Sequence, residues 1–198
     1  MDTGPAAKEG VAGPVAVQAG RGAANPASIL LDGLRGARPA LVLVFGAKGD
    51  ELAPLGDALK AGLPGDCIIA GCSSAGEIGP SGYASDSIVA IGFPTASFRA
   101  SAHLLRDLGA LPVSDWMAGL RRMHRAFAPD PGRSLFGLLL VDGLAGQEDA
   151  LVATLEAALP SVPVKAGRGI RALDNRRRGC YGLSRGCYGL TSQSVKRP

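Results

Sequence analysis

The chain has 198 residues, 46% of them hydrophobic and 5% aromatic, which is length enough for one domain with a real core and excludes a disordered or fibrous class. Its net charge of +4 is unevenly placed: residues 1–164 hold 12 basic and 16 acidic side chains, residues 165–198 hold 9 basic and 1 acidic. The excess lies wholly in the tail, so overall basicity gives no argument that the folded part binds nucleic acid.

Residues 1–13 are Gly, Ala and Pro with little to bury, and read as a flexible arm. "PVAVQAG" then offers a short strand. Asn25 and Pro26 are the N-cap and first-turn pair of a helix with Ile29, Leu30 and Leu34 on one face and Gly36 as its stop. "ALVLVFG" (40–46) is a continuous apolar strand, which predicts burial on both faces. Asp50 is the expected cap of the next helix, with Leu52, Leu55 and Leu59 as its stripe. "CIIAGC" (67–72) and "DSIVAIGF" (86–93) read as strands. "SFRASAHLL" (97–105) reads as another, antiparallel to its neighbour. Ser114 is the expected cap of a helix burying Trp116, Leu120, Met123 and Phe127. "SLFGLLLVDG" (134–143) is the clearest strand, and it feeds a helix with Leu151, Leu155 and Leu159 inward. "VPV" (162–164) starts one more strand. Strands alternating with helices predict an α/β fold: a mixed, largely parallel sheet with flanking helices, incomplete at the C-terminal end.

In such sheets ligands bind beyond the carboxyl ends of strands. Two loops lie at such ends, 71–79 and 142–147. The first, "GCSSAGEIG", admits three chemistries. Gly71-x4-Gly76 has the outline of a phosphate loop, but Glu77 stands where a lysine should, and a carboxylate repels a polyphosphate. Gly71-Cys72-Ser73-Ser74-Ala75 approaches a nucleophile elbow, but both histidines, His103 and His124, precede Asp142 and none follows it. Cys72 has no local base, so a small buried thiol is the simpler reading. Recognition without reaction is the third. Turn amides with two hydroxyls can hold an anionic group, and Glu77 or Asp142 can receive an ammonium, as a zwitterion requires. Serines and glycines are also what tight turns use, and a helix after Asp142 can use it as a cap.

The chain lacks any apolar run near the ~20 residues that span a bilayer. Its start has no positive head with a continuous apolar stretch, so no secretory signal is read there. Four cysteines without metal-ligand or paired spacing indicate reduced thiols and a cytoplasmic setting, with no metal site and no cofactor expected.

"GCSSAGEI" with the downstream "GY", and "LLLVDGLAGQED", resemble FIST-domain proteins in order and spacing. The likeness covers about Pro14 to Val164, giving a ligand-sensing domain over 14–164. The resemblance implies a bacterial sensory module that binds a small, amino-acid-like ligand without catalysis. It also implies a histidine kinase, diguanylate cyclase or chemotaxis receptor as signalling partner. It raises Ser73, Ser74, Gly76, Glu77, Asp142 and Gly143 to candidate ligand contacts, with Glu77→Ala and Ser74→Ala expected to weaken binding in a full-length relative and spare its melting temperature. Some relatives bind haem and sense nitric oxide; here His103 and His124 read as core or boundary histidines. A Ser- or Cys-dependent hydrolase is the enzymatic alternative.

After Val164 the text turns to "KAGRGIRALDNRRRGCYGLSRGCYGLTSQSVKRP", with a near-copied heptapeptide and a changed composition. Residues 165–198 are therefore expected as an irregular basic tail, left by a shifted reading frame in a truncated sensor. Its rival is a basic arm that touches nucleic acid through Arg176, Arg177, Arg178 and Arg185, with Tyr181 and Tyr188 to stack.

Overall fold

The computed structural model describes residues 12–46, 49–127, 133–142, 146–169, 172–174 and 186–195. Strand β1 (Val15–Gly20) leads into helix α1 (Pro26–Arg35), whose first turn is closed by Ser28 N–H donating to Asn25 Oδ1 at 3.0 Å. Then come β2 (Pro39–Gly46), α2 (Gly49–Gly62), β3 (Ile68–Ser73), a small hairpin of β4 (Glu77–Gly79) and β5 (Gly82–Ala84), and β6 (Ser87–Pro94). The second half runs β7 (Arg99–Arg106), α3 (Val113–Phe127), β8 (Arg133–Asp142), α4 (Glu148–Ala158), β9 (Val164–Gly169), β10 (Ala172–Asp174) and β11 (Gly186–Val195). Asp50 and Ser114 thus lie inside the first turns of α2 and α3 and do not precede them.

Among the described residues two large sheets form, in the orders β1-β6-β2-β3-β10 and β7-β11-β8-β9, beside the two-stranded β4-β5 hairpin. Strand alternation stacks them. In β2, Val42 and Val44 face α1 and α2 in one core, while Leu41 and Leu43 face the other sheet in a second core. In β8, Leu139 and Val141 face α3 and α4, while Leu138 and Leu140 join Leu41, Leu43, Phe93 and Phe98 between the sheets. The result is four layers, helices outside and two sheets inside, which is why "ALVLVFG" is apolar on both faces.

The two halves trace the same path. Each is β-α-β-α-β with a later strand inserted antiparallel between its first and second strands. Among the described strand pairs only β2/β3 and β8/β9 are parallel, each joined by a helical crossover; the other described pairings are antiparallel. The sheets are mixed, with less parallel pairing than the alternation of elements suggested. Segment 97–105 forms β7 but does not pair with β6. Both edges of β6 are taken by β1 and β2, so the chain crosses to the second sheet, where β7 pairs with β11. Residues 165–198, expected to be irregular, carry most of β9 and all of β10 and β11. β10 borders β3, and β11 lies between β7 and β8.

Candidate functional site

β9 ends at Gly169, and Ala172 of β10 is in register with Cys72 of β3. Three residue steps reach at most ~10 Å. The carboxyl ends of β3 and β9 therefore lie at the same end of the sandwich, and with them Gly46, paired with Ser73, and Asp142, paired with Gly169. The Gly-Ser turn after β3 and Asp142, the last residue of β8, lie at this end. Asp142 closes β8, while Gly143 lies outside the described residues, as do 47–48, 144–145 and 170–171.

The turn is pinned to β2 and to β6. Ser74 N–H donates to Gly46 O at 2.8 Å, tying the turn to the end of β2. Gly71 lets the backbones meet: a Cβ there would stand 2.1 Å from Val44 O, so no other residue fits without moving β2. Glu77 is 3% exposed. Its Oε1 accepts from Ser74 Oγ at 2.5 Å and its Oε2 accepts from Ser87 Oγ at 3.2 Å, and it forms no ion pair with a described residue. Behind it, Gln18 Nε2 donates to Ser87 Oγ at 3.1 Å, and Gln18 Oε1 accepts from Ser81 N–H at 3.1 Å. A polar chain thus runs from β1 through β6 to the turn. Two hydroxyls satisfy a buried carboxylate, the condition under which such a group is tolerated inside.

Ser73 differs. It is 2% exposed, and its Oγ has no hydrogen-bond partner among the described residues. The N–H groups of Ala75 and Gly76 likewise make no hydrogen bond to a described residue. A buried hydroxyl, and two and three residues further on two amides, all without a partner among the described residues, leave donor capacity after β3.

The alternatives in catalysis lose ground on bonding. Ser74 donates to Glu77 and Ser73 to no described residue, so neither serine hydroxyl is held by a histidine. Burial pushes the Cys72 thiol up to about 11, which keeps it protonated. Cys67 is pushed up to about 11 as well, by burial, with Lys60 opposing and Asp66 adding. His103 packs on the α3 backbone: a Cβ on Gly119 would stand 2.2 Å from its Nε2. His124 Nδ1 is buried without a hydrogen-bond partner among the described residues. No group of three metal-ligating side chains occurs among the described residues, and no helix there is long and apolar enough to cross a membrane.

Open grooves lie away from the turn. One of about 560 Å³ runs between α4 and the edge strand β9, lined by Leu139, Val152, Leu155, Glu156, Leu159 and Val164 among others. Among the described residues that line it, Glu156 is the one charged side chain.

Sequence reasoning missed Gln18 and Ser87, which support the site from strands β1 and β6. No spacing signal could have joined residues 69 apart. It also missed the β4–β5 hairpin, whose Gly82 has φ +93 and whose exposed Tyr83 leans on Gly76.

Comparison with protein families matches residues 40–185 to the FIST N domain. A search of curated proteins finds no match.

Proposed function

The chain belongs to the FIST N domain family, a family of sensory domains, and from that premise we propose that it binds a small zwitterion, such as an amino acid, and leaves it chemically unchanged. The site is the sandwich end where β2, β3, β8 and β9 finish. One observation carries the reading: Ser73 holds a buried hydroxyl that no described protein group satisfies. Leaving such a group unpaired costs about 1–3 kcal/mol, and a ligand oxygen accepting from it offsets that cost. The amides of Ala75 and Gly76 complete a cradle for the ligand's carboxylate.

Of the other candidates, Ser74 and Glu77 hold the turn in shape, since both are bonded to one another. Ammonium recognition then falls to the carboxylate of Asp142, the last residue of β8, with Gly143 next to it in sequence. Binding at this end is read out by a signalling partner, a histidine kinase, a diguanylate cyclase or a chemotaxis receptor, in the cytoplasm. No covalent step is assigned.

The experiment is calorimetric titration of the full chain and of Ser73→Ala with the twenty amino acids. At least one is expected to bind the parent, with affinity reduced about tenfold in the variant, the size of a lost hydrogen bond to a charged group. Unchanged affinity in Ser73→Ala removes the residue from the site. Absence of heat with every amino acid removes the ligand class.

A further inference from the structure

The sequence pairs its "GCSSAGEI" turn with a downstream "GY", whose tyrosine is Tyr83. The hairpin shows where it stands. In β4, Glu77 turns inward and Ile78 outward. Ile78 is in direct register with Tyr83 of β5. The two are 83% and 71% exposed, the most exposed large hydrophobic side chains among the described residues. Two such side chains placed opposite each other would gain from any apolar cover.

Their position is specific. A Cβ on Gly76 would stand 2.5 Å from Tyr83 Oη and 2.8 Å from its Cε2, so the ring edge lies directly against the turn. The N–H of Gly76, like that of Ala75, makes no hydrogen bond to a described residue. The glycine thus does two things: it offers an amide, and by lacking a side chain it admits the ring beside that amide. A molecule whose carboxylate sits on the Ala75 and Gly76 amides has an aromatic and an aliphatic surface within reach of its other end.

We infer that Tyr83, with Ile78, determines ligand specificity, and that the site prefers amino acids with aromatic or branched apolar side chains. This rests on the amino-acid reading of the same site. The hairpin supplies the selectivity and the turn supplies the grip. Because Tyr83 sits on an exposed hairpin with its ring largely in solvent, removing it leaves the cores intact.

The test is calorimetric titration of the full chain, Tyr83→Ala and Tyr83→Phe with phenylalanine, leucine and alanine. A hydrophobic contact of this kind discriminates about 10–200-fold in a closed pocket. For an open wall the low end applies, so phenylalanine and leucine are expected to bind the parent about tenfold tighter than alanine. Tyr83→Ala should bring all three within about twofold of each other, and Tyr83→Phe should keep the preference, since the ring and not the hydroxyl makes the contact. Equal binding of the three by the parent overturns the inference and leaves the amino-acid reading standing. A preference that survives in Tyr83→Ala overturns it too, and assigns the exposed pair to some other contact, such as a protein partner. No binding of any amino acid by the parent sinks the underlying reading, and this inference with it.

Discussion

Replacing Glu77 by alanine separates a ligand-facing acid from a structural one. From the sequence, the acid reads as an acceptor for a ligand, and its removal would spare the fold. The bonding says otherwise. Glu77 is 3% exposed and accepts from Ser74 at 2.5 Å and from Ser87 at 3.2 Å. Hydrogen bonds to a charged group contribute about 1.5–3 kcal/mol each. Losing both is offset in part by removing a desolvated charge and by water reaching half-buried Ser74. The net cost is about 2–4 kcal/mol, within the range for breaking a buried polar network. For a domain of this size each kcal/mol moves Tm by about 2–4 °C, so Tm should fall by roughly 5–15 °C. Glu77→Gln keeps one acceptor oxygen and should lose about half as much. The assay is thermal denaturation followed by circular dichroism near neutral pH. A Tm within about one degree of the parent for Glu77→Ala would refute the structural assignment, and would return the carboxylate to the ligand.

Two further outcomes follow from the same end of the sandwich. Gly71→Ala forces a Cβ to 2.1 Å from Val44 O, so it should destabilise by about 1–3 kcal/mol or more, seen as a lower denaturation midpoint with unchanged slope; parent-like stability would show that the strands separate at little cost. Cys72, with its thiol raised from 9.0 to about 11, should react with iodoacetamide about a hundredfold more slowly than an ordinary thiol near neutral pH. The rate should climb with pH until about 11. Fast stoichiometric labelling at neutral pH, read by mass spectrometry, would reopen nucleophilic catalysis. The sign for stability is fixed by the same shift: the folded state favours the protonated thiol, so this contribution is present below about pH 9 and is lost as pH rises through about 11.

Elements with a strong local signal were legible. Asn25-Pro26 announced α1 because its cap is a contact three residues long. The apolar run 40–46 announced a strand buried on both faces. What the sequence hid is non-local. The repeated topology of the two halves is invisible because what the halves share is an order and pairing of strands, which no local run of residues spells out. Strand β11 comes from a stretch whose composition differs from the rest, and its place between β7 and β8 depends on partners more than forty residues away. At the site, Ser73, Ser74 and Glu77 were visible as a cluster, but their division of labour was not. Whether a hydroxyl bonds to its neighbour or stays unengaged depends on strand registers that bring Ser87 and Gln18 behind Glu77.

The central claim is that the turn after β3 holds a small ligand. Its most direct test is amide chemical-shift mapping of the isotope-labelled chain during titration with phenylalanine. Shifts should concentrate on Ser73, Ser74, Ala75 and Gly76 and at the end of β2, with the amino acid recovered unaltered. Shifts confined to the groove between α4 and β9, with the turn silent, would contradict it.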